Sequence, residues 1–498
     1  MKVRSLKFNS VVNLIKTILG IIFPSMKTVG CSTSESHVIF PLITFPYASR
    51  VLGATGIGKV DYANSISNYF ILFASLGIAT YTIREGAKVR DDKKKLDQLV
   101  TEIFVINSIS TVVAYICLFI CSSLPVFKNY QELILLNGTI MIFDLIGVNW
   151  LFNIFEDYIY ITVRTLAFQI ISLVLLFVFV QTPEDYLIYA GLIVFANAGA
   201  NIFNIFYGRK YVSFFKCSKL NLKKHLKPIF IIFGIGIASQ IYLNIDTTML
   251  GLLKSDYDVG LYSAAIKINR TLGTLISSAC AVLIPRLSYY IKMKMEKEYR
   301  NIVNTTVNYI LSLSIPCAFG CALLSSECIF LFSGKGFEGA APIMRILSPN
   351  IIFAVMNGFL AYQIFIPFGK ELYTCIATFV GAILNVVLNS IFIITFGTRG
   401  AAVATVLAEI SVFIILMYYM KKFYQDKTLF KEVWKYLVAG ICMFIVGLGI
   451  AALGLGLILK ILVTVVICII CYFGVLMILK AKIAFVVIDM LKARIKRK

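Results

Sequence analysis

The chain has 498 residues, 59% of them hydrophobic and 14% charged, with a formal net charge of +22 and a mean hydropathy of +0.87. Soluble domains of this size do not carry apolar residues at that density from end to end, and no polar stretch is long enough for a separate soluble domain. Composition therefore points to one integral membrane unit.

A short basic tail ends at Lys7. Apolar residues then run from Val11 to Pro24, a polar stretch covers Ser25 to His37, and the apolar run resumes at Val38 and ends near Tyr47. Neither half supplies the ~20 residues that cross a ~30 Å hydrocarbon core. We read them as one interrupted first span. Thirteen further spans follow, at 60–83, 99–121, 131–154, 159–180, 186–208, 229–252, 259–284, 302–324, 341–366, 371–396, 400–419, 436–453 and 457–479, making 14 in all. With the N-terminus in the cytoplasm, 34 Lys and Arg fall on the inner side. Only 5 fall outside: Arg50, Lys128, Lys254, Lys335 and Arg399. This positive-inside asymmetry places both termini in the cytoplasm. The charge then serves topology and contact with anionic lipid headgroups, and nucleic acid is excluded as a partner.

Several local patterns imitate chemistry. "GATGIGKV" (Gly53–Val60) nearly spells a phosphate-binding loop, but Val60 stands where a Ser or Thr should hold Mg²⁺. It also joins two spans on the outer side, so it reads as an external turn. "TVGC" (Thr28–Cys31) resembles a lipoprotein cleavage site only loosely, with Pro24 and Lys27 interrupting the approach. The 12 cysteines lie mostly inside spans, including the "CIIC" of Cys468–Cys471, and read as small packing hydrophobes. With only His37 and His225 present, no metal cluster is expected.

The informative residues are ionisable or amide side chains inside spans, which are costly there and face a cavity or one another. Asp61, Ser65 and Asn68 share one face of the second span, and Ser263, Lys267 and Arg270 share one face of the eighth. Asp144, Arg164, Asp246, Arg345 and Glu409 stand alone in other spans, and Asn385 and Asn389 stack at i, i+4. Two cations on one helix face point to an anionic cavity. A faint repeat links "VLGATGIGKVDYA" from Val51 with "MLGLLKSDYDVGLYSAA" from Met249. It suggests two lobes of six helices around a central cavity, 1–228 and 229–420, followed by two more helices and a basic cytoplasmic tail in 421–498.

The segment "FPYASRVLGATGIGKVDYANSISNYFILFASLGIATYTIREGAK" (Phe45–Lys88) resembles the opening of the Wzx-type polysaccharide-repeat flippases. These form the polysaccharide-transporter branch of the multidrug/oligosaccharidyl-lipid/polysaccharide exporter superfamily. "NWLFNIFEDYIYITVRT" (Asn149–Thr165), "HLKPIFIIF" (His225–Phe233), "YLNIDTTMLG" (Tyr242–Gly251), "VGLYSAAIKINR" (Val259–Arg270), "IPRLSYYI" (Ile284–Ile291) and "GTRGAAVATVLAE" (Gly397–Glu409) extend the likeness over nearly the whole chain.

The resemblance implies an all-α membrane protein and no enzyme. Its substrate would be an undecaprenyl-pyrophosphate-linked oligosaccharide, carried from the inner to the outer leaflet of a bacterial cytoplasmic membrane by alternating access. The product would be O-antigen, capsule or another surface polymer, made beside polysaccharide polymerase machinery. It implies no cofactor, and coupling to a Na⁺ or H⁺ gradient.

On this reading Arg50, Lys267, Arg270 and Arg345 offset the pyrophosphate charge, since guanidinium donors match phosphate oxygens in pairs. Asp61 and Asn68 join them in the cavity. Asp246 binds the coupling cation, and Asp144, Trp150, Glu156, Arg164 and Glu409 shape the gate. The family's first helix runs unbroken into "PLITFPY", whereas here "IIFP" at Ile21–Pro24 recurs as "VIFP" at Val38–Pro41. Ser25–Pro41 therefore reads as an insert within that helix. A cation-coupled multidrug exporter of the same superfamily is the rival reading, and a membrane polysaccharide polymerase is a further one. The short external loop near Ser325–Ala340, with only Glu327 and Glu338, offers a polymerase no paired acid and base.

Overall fold

Backbone N–H and C=O groups find no water in hydrocarbon, so apolar segments close their hydrogen bonds internally as helices. The computed structural model describes residues 32–213, 220–281, 283–424, 426, 428–453 and 456–484, and every regular element in it is helical. The first helix, α1 (Ser32–Ser75), leads into α2 (Ile78–Val89) and then α3 (Lys93–Ser122). Next come α4 (Gln131–Gly147), α5 (Asn149–Ile154), α6 (Tyr158–Phe179), α7 (Tyr186–Ala198) and α8 (Asn204–Gly208). The chain continues through α9 (Lys223–Leu253), α10 (Asp256–Ala281), α11 (Ile284–Lys292), α12 (Glu296–Leu323) and α13 (Ser325–Ser333). It closes with α14 (Ala340–Leu347), α15 (Asn350–Phe359), α16 (Glu371–Phe396), α17 (Thr398–Met420), α18 (Val433–Ala451) and α19 (Leu457–Ile478).

Among the described residues, ten helices are long and apolar enough to cross a bilayer, or eleven if the bent pair Ala340–Leu347 and Asn350–Phe365 is one span. The expectation of 14 differs from this at three places, each with a physical cause. The first two expected spans are two helices joined at Gly53, whose backbone (φ 67°, ψ 179°) leaves the helix for one residue, and they count as one run above. The chain reverses there, since Phe45 before Gly53 and Asp61 after it both lie against Lys267, so "GATGIGKV" opens on a turn at Gly53, a backbone conformation that favours glycine, and continues as helix. The expected span 131–154 is split at Val148, which is left-handed (φ 36°, ψ 42°) between α4 and α5. That conformation is strained for a β-branched residue and must be held from outside. The expected span 259–284 does form α10, but Lys267, Asn269 and Arg270 make it too polar to pass as a bilayer helix by composition.

Residues 25–31 of the supposed insert lie outside the described residues, while its remainder, 32–41, forms the first turns of α1. Large apolar side chains stay exposed along α18 and α19, among them Ile445 and Ile470. Lipid is as apolar as these side chains, so their exposure carries no penalty in a bilayer.

Candidate functional site

Two helices with the sequence repeat, α1 and α10, cross at a backbone-to-backbone contact. A Cβ on Gly58 would lie 1.7 Å from the Asp256 carbonyl oxygen, and one on Gly260 would lie 1.9 Å from that of Ala54. No side chain fits at either point, so the repeated glycines set the crossing distance. Ser255 and Asp258 cap the start of α10 reciprocally, the Ser255 hydroxyl donating to Asp258 Oδ2 at 2.6 Å and accepting from the Asp258 N–H at 3.3 Å. Beside the crossing, the Tyr130 hydroxyl donates to Asp256 Oδ1 at 2.7 Å.

One turn further in, the crossing brings Asp61 of α1 to Lys267 of α10. The lysine Nζ lies 2.9 and 2.7 Å from the two carboxylate oxygens and 4.3 Å from the centre of the Phe45 ring. The lysine side chain is 32% exposed and the aspartate 15%, so the pair is screened and worth on the order of 1 kcal/mol. Below it, α1 and α9 are joined by neutral polar groups. Asn68 Nδ2 donates to Asn244 Oδ1 at 3.4 Å, and the Thr248 hydroxyl lies 3.0 Å from that of Ser65.

Asp246 of α9 has a different environment. It is 2% exposed and accepts only from neutral donors on three other helices. The Tyr262 hydroxyl of α10 and the Thr405 hydroxyl of α17 donate to Oδ2 at 2.8 and 2.9 Å. Asn389 Nδ2 of α16 donates to Oδ1 at 2.6 Å and also to Asn385 Oδ1 at 2.8 Å. The Asn389 carbonyl oxygen is buried there without a donor. Among the described residues, this buried carboxylate is held by three hydrogen bonds from neutral donors and has no lysine or arginine among its hydrogen-bond partners. The oxygens of Asp246, Asn385, Asn389 and Thr405 are the kind a hard cation takes.

The other expected cations bond backbone carbonyls or a hydroxyl. Arg50 donates to the carbonyls of Pro46 in its own helix and of Leu331 (2.5 Å) and Phe332 (3.3 Å) at the end of α13. Its guanidinium thus caps a helix C-terminus, where a cation is favoured. Arg345 of α14 reaches Ser325 Oγ at 3.1 Å, across the break between α12 and α13. Arg270 remains exposed, with Nη2 donating to Leu243 O at 2.8 Å.

A second polar network holds the break at Val148. Arg164 of α6 donates from Nη1 to Asn204 Oδ1 at 2.6 Å and Asn201 Oδ1 at 3.1 Å, and from Nη2 to Asn149 Oδ1. Asn201 Nδ2 in turn donates to Asp144 Oδ1 at 2.9 Å, and Asn204 Nδ2 donates to Gly147 O at 2.5 Å. Both sides of the strained residue are therefore pinned. Trp150 is buried nearby, while Glu156 is exposed at the surface and pairs with Arg90 at 3.2 Å. Glu409 of α17 lies elsewhere, beside Asn357 of α15, whose Nδ2 donates to its Oε2 at 2.7 Å.

Sequence reasoning missed three partners of importance. Tyr262 and Thr405 are ordinary residues in the "GLYSAA" and "AAVATV" runs, and only their shared contact with Asp246 distinguishes them. The third is Glu102 of α3, fully buried, with Oε2 2.8 Å from both Lys224 and His225 at the start of α9. The other nitrogen of His225, Nδ1, lies 2.7 Å from the Tyr81 hydroxyl. A buried acid at the inner end of a span, set against one of only two histidines, was the available signal.

A multi-helix membrane unit with sequestered acids and cations where helices cross is the architecture of a transporter. Comparison with known proteins agrees. The family model "Polysaccharide biosynthesis protein" matches residues 30–291, and the model "Lipid II flippase MurJ" matches residues 166–474. A putative O-antigen transporter of Escherichia coli K12 is 27% identical over 323 residues, covering 63% of this chain and 76% of that protein. The solved structure of the lipid II flippase MurJ in an inward closed conformation superposes with a TM-score of 0.68 at 16% identity, over 90% of this chain and 99% of that one. An inward-facing multidrug resistance MATE transporter gives a TM-score of 0.61 at 16% identity, over 80% and 97%. The chain belongs to the polysaccharide biosynthesis protein family, in its Wzx-like flippase branch. It is a multi-pass membrane transporter of the lipid-linked glycan flippase type, not an enzyme, with a MATE/MurJ-like fold.

Proposed function

We propose that the protein carries an undecaprenyl-pyrophosphate-linked oligosaccharide repeat unit from the inner to the outer leaflet of a bacterial cytoplasmic membrane, for surface polysaccharide assembly. Alternating access between lobes 1–228 and 229–420, with the last two helices alongside and both termini in the cytoplasm, moves the headgroup. The observation that carries this reading is the Asp61–Lys267 pair with Arg270 one turn along α10. Lys267 is held by an anion of the opposite lobe and stays partly exposed. An arriving pyrophosphate offers it a better anion, releases Asp61, and loosens α1 from α10 at the step that requires the lobes to part. Arg270, which donates to a backbone carbonyl, supplies the second cation.

Asp246, with Asn385, Asn389 and Thr405, supports coupling to Na⁺ or H⁺, since that carboxylate accepts its hydrogen bonds from neutral donors. Arg50 and Arg345 act in this scheme as caps on helix breaks, and Asp144, Arg164 and Trp150 as a fixed brace.

The test is complementation of a bacterium lacking its own polysaccharide-repeat flippase, scoring surface polymer. Full-length protein and a Ser25–Pro41 deletion are compared with Lys267→Met in each background. Restored polymer that disappears with Lys267→Met is the expected result. Polymer restored by the deletion alone would show that the insert disables the chain. No polymer from either, with both proteins in the membrane, would end the proposal.

A further inference from the structure

A cavity of 820 Å³ lies between α9, α15, α16 and α17, apart from the Asp61–Lys267 pair. Its lining holds two carboxylates, Glu409 and Glu371, and among the described residues no lysine or arginine. Glu409 Oε2 is held by Asn357 Nδ2 at 2.7 Å. Asn357 is 8% exposed, and its carbonyl oxygen is buried in the lining without a donor. An unpaired acceptor beside a carboxylate in apolar surroundings costs about 1–3 kcal/mol unless a donor arrives. Arg270 is within electrostatic range of Glu409, but its guanidinium bonds Leu243 O.

The remaining lining is largely apolar and includes the exposed aromatic side chains of Tyr362 and Phe379. Tyr362 belongs to the π-helical turn Leu360–Phe365 that ends α15. Such turns widen a helix and recur at binding sites. An apolar cavity of this size with a few convergent polar groups is the form of a small-ligand site.

We propose that this cavity binds an amphiphile with a protonated amine head, admitted sideways from the bilayer. The ammonium sits between Glu409 and the Asn357 carbonyl oxygen, and the apolar body lies toward Tyr362 and Phe379. The site is independent of the flippase reading, because binding can fail while complementation succeeds, and the reverse.

The experiment uses full-length protein in phosphatidylcholine/phosphatidylglycerol nanodiscs and two fluorescent probes: dansylcadaverine, which carries a primary amine, and N-pentyl dansylamide, the same body without it. Saturable, blue-shifted binding of the amine is expected, at least 10-fold tighter than the neutral probe, with that preference lost in Glu409→Gln. Gly358→Leu is the control for misfolding of an acid variant. Gly358 lines the cavity and a Cβ there meets nothing within 4 Å, so a side chain can start from this backbone position and occupy the cavity. It should abolish binding while Glu409 remains. Equal binding of both probes, or unchanged binding in Gly358→Leu, overturns the proposal. Adding phosphatidylethanolamine to the discs identifies the natural source within the class: competition assigns an aminolipid, and its absence assigns a smaller amphiphilic amine.

Discussion

Asp61 and Asp246 are both aspartates within membrane helices, yet they have opposite surroundings. Asp61 has its cation built in, 2.7 Å away and partly wet. Asp246 is surrounded by a tyrosine, a threonine and an asparagine that donate hydrogen bonds without charge. The first acid has a cationic partner in the fold, and the second has only neutral ones. Under the proposed function this makes Asp61 a group that an arriving anion can displace and Asp246 a group that a coupling ion can complete.

The largest expected effect breaks the second half of this contrast. Saturating coupling cation, at 100 times its dissociation constant, should stabilise the wild-type protein by about 2.7 kcal/mol, and Asp246→Asn should abolish that gain. Thermal unfolding in sodium and in choline, across pH, measures it. A cation-induced shift that survives Asp246→Asn would remove the ion from this site.

A smaller effect sharpens the contrast from the other side. Lys267→Gln turns Asp61 into an acid without a partner, and should destabilise by about 1–2 kcal/mol, since the remaining charge is partly hydrated. Asp61→Asn added to it should recover about 1 kcal/mol in a double-mutant cycle. The single variant should also gain a cation-dependent shift in melting temperature that the wild-type site lacks. Additive losses would mean the two residues do not act as a pair.

The smallest effect is set by Arg50, a cation held by carbonyls and not by an acid. Arg50→Ala should cost about 0.5–1 kcal/mol, the worth of a charge at a helix C-terminus, with Arg50→Lys recovering part of it. Thermal stability reads this directly. A complete loss of transport with unchanged stability would instead return Arg50 to the substrate.

Hydropathy and charge made the membrane class legible, because both are sums over many residues. They could not see Val148. A left-handed residue inside an apolar run leaves no trace in composition, and the network that holds it comes from Arg164, Asn201 and Asn204, which lie beyond it in the chain. The repeat at Gly58 and Gly260 was legible as a repeat, but its role in helix approach was not, since a glycine needed for helix approach and one needed for a bend look alike in one sequence. Asp246 was conspicuous as an acid in an apolar run. Tyr262 and Thr405 were missed because nothing about either residue is unusual until the helices meet. Arg50 was counted with the cavity cations because a charge pattern does not show where a distant helix ends.

The central claim is movement of a lipid pyrophosphate glycan, and reconstitution addresses it most directly. Purified protein would be placed in vesicles with undecaprenyl-pyrophosphate-linked oligosaccharide, and the leaflet position of the sugar followed with an impermeant lectin. The account predicts protein-dependent exchange between leaflets that is strongly reduced by Lys267→Met. Exchange no faster than in protein-free vesicles, with folded protein present, would contradict it.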